Sequence, residues 1–202
     1  MGAEKNPRVK GTAAARDWLR RGLLCTLLMP SMGPAADTPP SAQRVLAEAQ
    51  GQAAAQHKNI FLIFGASWCA WCRKLDAFNE IPSVKAILEK NFVTVHLDVG
   101  EHGDKVSLEN PGAEELERRL GGEKNSLPFF AFLDPAGHLL VNSYRPVPGD
   151  SIRWLPRVDS NIGFPGTPEE IDWFIAMLRK SARSFTPDDA RVVENQLGKR
   201  KP

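Results

Sequence analysis

Asn59-Ile60-Phe61-Leu62-Ile63-Phe64, then Gly65-Ala66-Ser67, then Trp68-Cys69-Ala70-Trp71-Cys72-Arg73-Lys74 form the stretch whose reading decides the fold of this 202-residue chain. The first six residues are an unbroken apolar, β-rich run, the pattern of a strand buried on both faces in a parallel sheet. Gly65 to Trp68 turn the chain, and a helix is expected to begin near Cys69. From there Cys72, Leu75 and Phe78 recur three apart and share the inward side of that helix.

Upstream, residues 42–56 are helix formers with Val45, Leu46, Ala49 and Ala53 on one face, an amphipathic helix. Downstream, Pro82 interrupts the cysteine-bearing helix, and Ser83 is expected to cap a second stretch with an apolar stripe of Val84, Ile87 and Leu88. Phe92 to Val99 reads as the next strand and Gly100 to Pro111 as a polar loop. A short helix over 112–120, with Leu116 and Leu120 inward, ends at Gly121-Gly122. Leu127-Pro128-Phe129-Phe130-Ala131-Phe132-Leu133 returns to strand, Asp134 to Gly137 turn, and His138 to Tyr144 pair back as a hairpin. Residues 145–156 form a proline-studded loop. A later helix opens on the capping box Thr167-Pro168-Glu169-Glu170 with a stripe of Ile171, Phe174, Ile175 and Leu178, and Thr186-Pro187-Asp188-Asp189 starts a further short one. The order implies an α/β fold, a mixed central sheet with helices on both faces.

Composition suits a soluble globular domain, at 42% hydrophobic and 25% charged residues. The net charge of +2 is uneven, because residues 1–36 hold Lys5, Arg8, Lys10, Arg16, Arg20 and Arg21 against Glu4 and Asp17. The remainder is slightly acidic, too weak a bias to steer the chain to nucleic acid or anionic lipid. The basic residues precede the apolar run Gly22 to Met29 and the small residues Gly33-Pro34-Ala35-Ala36, the layout of a secretory signal peptide. The expected organisation is a signal peptide over 1–36, a linker over 37–41, a domain over 42–181 and a C-terminal extension over 182–202. Cleavage removes Cys25 and leaves Cys69 and Cys72. Two cysteines alone do not make a structural zinc site, which takes four ligands, but they can form one exchangeable disulfide.

The buried strand, the Trp68-Cys69-Ala70-Trp71-Cys72 turn, Leu127-Pro128-Phe129 opening a later strand, and the hairpin and helix after them resemble the thioredoxin-like superfamily. The exported bacterial thioredoxin-like proteins are similar through Asn161-Ile162-Gly163-Phe164-Pro165-Gly166 as well. The resemblance spans about residues 42–181 and implies a thioredoxin-like fold and thiol–disulfide exchange with protein substrates. It also implies a redox partner protein, no cofactor and a periplasmic or secreted location. Helix position supports the division of labour, since backbone N–H groups and the macrodipole at a helix start lower a cysteine pKa from about 8.5 to roughly 3.5–7.5. Cys69 is then the nucleophile, and Cys72, one turn later and inward, resolves the mixed disulfide. Pro128 matches the family's cis-proline, so Leu127 and Pro128 are expected to dock substrate backbone, with Trp68 on the groove rim. Trp71 either contacts substrate or shields the disulfide, or is incidental packing.

One departure concerns proton transfer. Several relatives carry a buried carboxylate six residues before the first cysteine, where this chain has Ile63, and often pair it with a lysine at the position of His96. His96 is therefore either a base for Cys72 or a residue filling space beneath the helix. Two other classes of function remain open, a non-catalytic binding protein with a stapling disulfide and a Cu(I) chaperone using Cys69 and Cys72, with or without His96.

Overall fold

A computed structural model describes residues 38–123, 126–146 and 160–199. The expected signal peptide and most of the 145–156 loop lie outside the described residues. The elements are α1 (Ala42–Gln56), β1 (Asn59–Gly65), α2 (Ala70–Asn79), α3 (Pro82–Asn91), β2 (Phe92–Asp98), α4 (Ala113–Arg119), β3 (Phe129–Leu133), β4 (Leu139–Asn142), α5 (Pro168–Ser181) and α6 (Pro187–Gly198). The strands form one sheet in the order β2-β1-β3-β4. β1 runs parallel to β2 and antiparallel to β3, and β3 and β4 form the hairpin. The result is the α/β body around a mixed sheet that the sequence implies.

Strand alternation divides the core into two layers. Phe61, Ile63, Phe130 and Phe132 point to one face, where Leu75 and Phe78 of α2, Ile87 and Leu88 of α3 and Phe174 and Leu178 of α5 cover them. Ile60, Leu62, Phe64, Phe129, Ala131 and Leu133 point to the other, under Ala49 and Ala53 of α1 and Leu116 of α4. Covered on both sides, β1 has no polar alternation, which is why it reads as a continuous apolar run. The first layer is aromatic, with Phe61 stacked on Phe132 at 4.6 Å and edge-on to Phe130 at 5.7 Å. β2 is an edge strand. Its Phe92 joins the first layer, its Val93 and Leu97 the second, and Thr94, His96 and Asp98 stand exposed on the α2 side.

Four details differ from the sequence reading. Ser83 does not cap α3. Ile81 holds the cap position without a side-chain hydrogen bond, and Pro82 occupies the first helical turn, where its missing N–H costs nothing. The loop after β2 contains a 3-10 turn over Gly103–Leu108. The residues expected to link signal and domain are tied down, since Ser41 caps α1 and the Pro40 carbonyl accepts from Asn110 Nδ2 at 2.9 Å. Finally, α6 belongs to the packed body. Its Ala190, Val193 and Leu197 are buried in the aromatic layer, and a capping box of Thr186 and Asp189 starts the helix.

Candidate active site

The carboxyl end of β1 delivers the chain into the turn at residues 66–68, and Cys69 becomes the N-cap of α2 with extended backbone angles. Its Sγ accepts the backbone N–H of Cys72 at 3.0 Å, so the sulfur sits where an N-cap oxygen normally does. Cys69 and Cys72 are joined as a disulfide, with Cα atoms 5.3 Å apart across the first turn. Both are buried, at 3% and 6% exposure, so burial does not distinguish them. Helix position does: Cys69 lies at the amino end, and Cys72 Sγ lies under the sheet end.

Gly65 makes room for that sulfur. A Cβ at this position would stand 3.3 Å from Cys72 Sγ, closer than a side chain comfortably packs, so any larger residue would push against the disulfide. Ala66 and Leu127 complete the apolar pocket around the pair.

The Leu127–Pro128 peptide bond is cis. Leu127 packs against the disulfide cluster, and Pro128 is buried behind it. Asn161 holds this loop from the far side, its side-chain amide donating to the carbonyls of Ser126 at 2.7 Å and Pro128 at 3.2 Å. Nothing in the local sequence announces that role, although Asn161 lies in the segment that carries the family resemblance.

Trp68 and Trp71 flank the cysteines, 43% and 49% exposed. Trp68 donates Nε1–H to the Gly100 carbonyl at 2.8 Å and stacks on His102 at 5.3 Å. Trp71 lies over Phe164 at 6.4 Å and receives the Lys74 ammonium 3.9 Å above its ring. Both indoles thus stand partly exposed beside the disulfide, Trp68 tied to the loop after β2 and Trp71 held between its contacts with Phe164 and Lys74.

A second support was not legible in the sequence. The buried carboxylate of Glu101 accepts both the backbone N–H and the hydroxyl of Ser67, at 2.6 and 2.8 Å, while Arg73 donates to the Ser67 carbonyl at 2.9 Å. The loop after β2 thus clamps the turn that presents Cys69.

His96 pairs in register with Ile63, as its strand position implies, but its side chain lies half-exposed with Nδ1 3.6 Å from Asp76 Oδ1. It therefore stands against the second turn of α2, one turn below Cys72. Burial raises the Asp76 carboxyl pKa above its ordinary value, with His96 opposing that rise and Glu80 adding to it. Asp98, two residues beyond His96, is level with Gly65. Its pKa is also raised, first by burial and then by Glu101, against a lowering by His96. Among the described residues no group of three or more His, Cys, Asp or Glu side chains converges as a metal site. No helix among the described residues is long and apolar enough to cross a membrane.

Residues 41–135 match the family model described as thioredoxin-like. No curated protein matches the chain. Among solved structures it is similar to a disulphide isomerase from Xylella fastidiosa Temecula1, at 23% identity over 57% of this chain and 79% of that one, TM-score 0.39. A DsbH oxidoreductase is similar at 21% identity over 75% and 92% of the two chains, TM-score 0.41. A thioredoxin-fold protein from Helicobacter pylori is similar at 14% identity over 70% and 83%, TM-score 0.36.

Proposed function

Taking as premise that residues 41–135 form a thioredoxin-like domain, we propose that Cys69 and Cys72 exchange disulfides with protein clients in two thiolate attacks, Cys69 first and Cys72 second. The domain is a thiol–disulfide oxidoreductase. The observation that carries the assignment of roles is the Cys69–Cys72 disulfide spanning the first turn of α2, with Cys69 as the helix cap and Leu127 packed beside the pair. Unpaired N–H groups at the start of α2 stabilise a thiolate on Cys69, and the apolar surroundings of Cys72 favour its neutral thiol until the mixed disulfide forms.

Clients dock in the groove between Trp68 and Trp71, with an extended segment laid against Leu127 and Pro128. The partly exposed indoles and the loop held by Asn161 support that reading. Sulfur carries the electrons, so the exchange needs no bound cofactor, and a second thiol protein supplies or removes them. His96 contributes through the Asp76 carboxylate it faces rather than as a direct base. The basic, then apolar, then small-residue order of residues 1–36 supports export to the periplasm or beyond, a compartment where disulfides persist.

The test is insulin reduction driven by dithiothreitol, together with equilibration of the Cys69–Cys72 pair against glutathione to read its redox potential. Acceleration of insulin precipitation that disappears in Cys69→Ala supports the reading. A disulfide that dithiothreitol leaves intact, or equal rates with and without the protein, contradicts it.

A further inference from the structure

Position 63 offers no carboxylate, yet the strand ladder sets Asp98 in register with Gly65, the residue that faces Cys72 Sγ. We propose that Asp98, on β2, is the positioning carboxylate that shares the proton of Cys72; this rests on the redox role given above to the Cys69–Cys72 pair.

Three observations converge on Asp98. First, a Cβ at Gly65 would stand 3.3 Å from Cys72 Sγ, so the α2-facing side of Gly65 looks directly at that sulfur. Second, Gly65 and Asp98 are register partners in the parallel β1–β2 ladder, and partners in register project from the same face. Asp98 therefore points to the α2 side, about 5 Å sideways from the space that Gly65 leaves empty. Its carboxylate, two bonds out from the backbone, extends on the same side as that space. Third, the two elements keep step. Four helical residues from Cys72 to Asp76 advance about 6 Å, and two strand residues from Asp98 to His96 advance about 6.6 Å. The lower pair is in contact, with His96 Nδ1 3.6 Å from Asp76 Oδ1, which sets Asp98 level with Cys72.

The backbone around Asp98 is built to hold it there. Asn110 accepts its N–H through Oδ1 at 2.7 Å and donates its own N–H to the Asp98 carbonyl at 3.1 Å, while the next residue, Val99, donates to the Gly65 carbonyl at 2.8 Å. The charged neighbours are His96 on its own strand, Asp76 on α2 and Glu101 in the following loop. Across the cavity at this strand end, which Asp98 also lines, stand Glu109, Glu114, Glu115 and Arg118, the last paired with Glu115. Asp76 and Glu101 add to the effect of burial on Asp98, so this carboxyl is easier to protonate than a free aspartate.

The chemistry balances as follows. With Cys69 bonded to a client sulfur, the Cys72 proton passes to the Asp98 carboxylate. The Cys72 thiolate attacks Cys69 Sγ, the Cys69–Cys72 bond forms, and the Cys69–client bond breaks. The client sulfur leaves with the electron pair and takes up the proton, directly from Asp98 or from solvent. The client disulfide has gained two electrons and the protein dithiol has lost them. Before a client binds, the ionised Asp98 disfavours a second negative charge and keeps Cys72 a thiol, leaving Cys69 as the attacking group.

The full chain carrying Cys25→Ser and Cys69→Ala leaves Cys72 as the one thiol, and iodoacetamide alkylation across pH reads its ionisation. The expected result is that Asp98→Asn speeds alkylation at pH 7 about 10-fold and moves the midpoint of the profile to lower pH, while the plateau rate at high pH is unchanged. Asp98→Glu keeps the parent profile, and Asp76→Asn and His96→Gln move it less than Asp98→Asn does. Coincident parent and Asp98→Asn profiles overturn the proposal, as does a larger shift from Asp76→Asn. A rise in plateau rate as large as the rise at pH 7 also overturns it, because that reports an opened site. If the full chain fails to reduce insulin, the redox reading falls instead, whatever these profiles show.

Discussion

The side-chain nitrogen of Asn161 reaches the carbonyl oxygen of Pro128 at 3.2 Å, and through the same amide it engages the Ser126 carbonyl and hydroxyl at 2.7 and 3.0 Å. One polar side chain, brought in by the chain segment that precedes α5, thus satisfies the backbone of the loop that faces the disulfide. Asn161→Ala strands these acceptors, and a loss of about 1–3 kcal/mol is expected in urea unfolding. Insulin reduction should fall further than simple reduction of the disulfide by dithiothreitol, because the loop serves docking. Unchanged stability and unchanged insulin reduction would refute the role.

Glu101 grips the other side of the site through Ser67. Hydrogen bonds to a charged acceptor are the stronger kind, and the buried Glu101 carboxylate accepts two of them from Ser67. Glu101→Ala is expected to lower stability by about 2 kcal/mol, with Glu101→Gln losing less because an amide oxygen still accepts. Thermal unfolding of the three proteins checks the order. Equal melting temperatures for wild type and Glu101→Ala would remove the clamp from this account.

Glu117, buried on α4, makes stability depend on pH. Burial, aided by Glu114, pushes its carboxyl up to about 7, and its Oε1 has no hydrogen-bond partner. Below about pH 4.5 the group is protonated both folded and unfolded and costs nothing. Between there and pH 7 only the unfolded chain ionises, so stability falls as pH rises, by about 3 kcal/mol in all, and levels off above 7. Glu117→Gln should remove that slope and be the more stable protein at pH 8. Parallel stability curves for the two proteins from pH 4.5 to 8 would contradict the assignment.

At the amino end, the Arg-rich start and apolar run predict a mature protein that begins near Asp37 and is recovered outside the cytoplasm. N-terminal sequencing of protein isolated from its native host reads the cleavage point directly. A cytosolic product that retains residues 1–36 would refute export.

Much of the architecture was legible because it is written in local pattern. The unbroken run of β1, the three-residue spacing of Cys72, Leu75 and Phe78, and the capping boxes of α5 and α6 each follow from neighbours in the chain. What escaped reading depends on partners brought together by the sheet. Ser67 meets Glu101 and Asn161 meets Pro128 across more than thirty residues, and no periodicity encodes either contact. α6 reads as a detached short helix because its burial depends on the gap between α3 and α5, a surface that exists only after folding. The same holds for proton transfer. His96 could be placed beside position 63 from sequence, but whether it or Asp98 stands level with Cys72 depends on how α2 lies along the β1–β2 ladder.

The central claim is that Cys69 attacks and Cys72 resolves, and trapping of clients tests it most directly. Cys72→Ser and Cys69→Ser are to be compared on non-reducing gels after expression in the native host, with wild type alongside. The account predicts that Cys72→Ser accumulates mixed disulfides through Cys69, sensitive to dithiothreitol, whereas Cys69→Ser gives none above the wild-type level. Equal trapping by both variants, or trapping by Cys69→Ser alone, would contradict it.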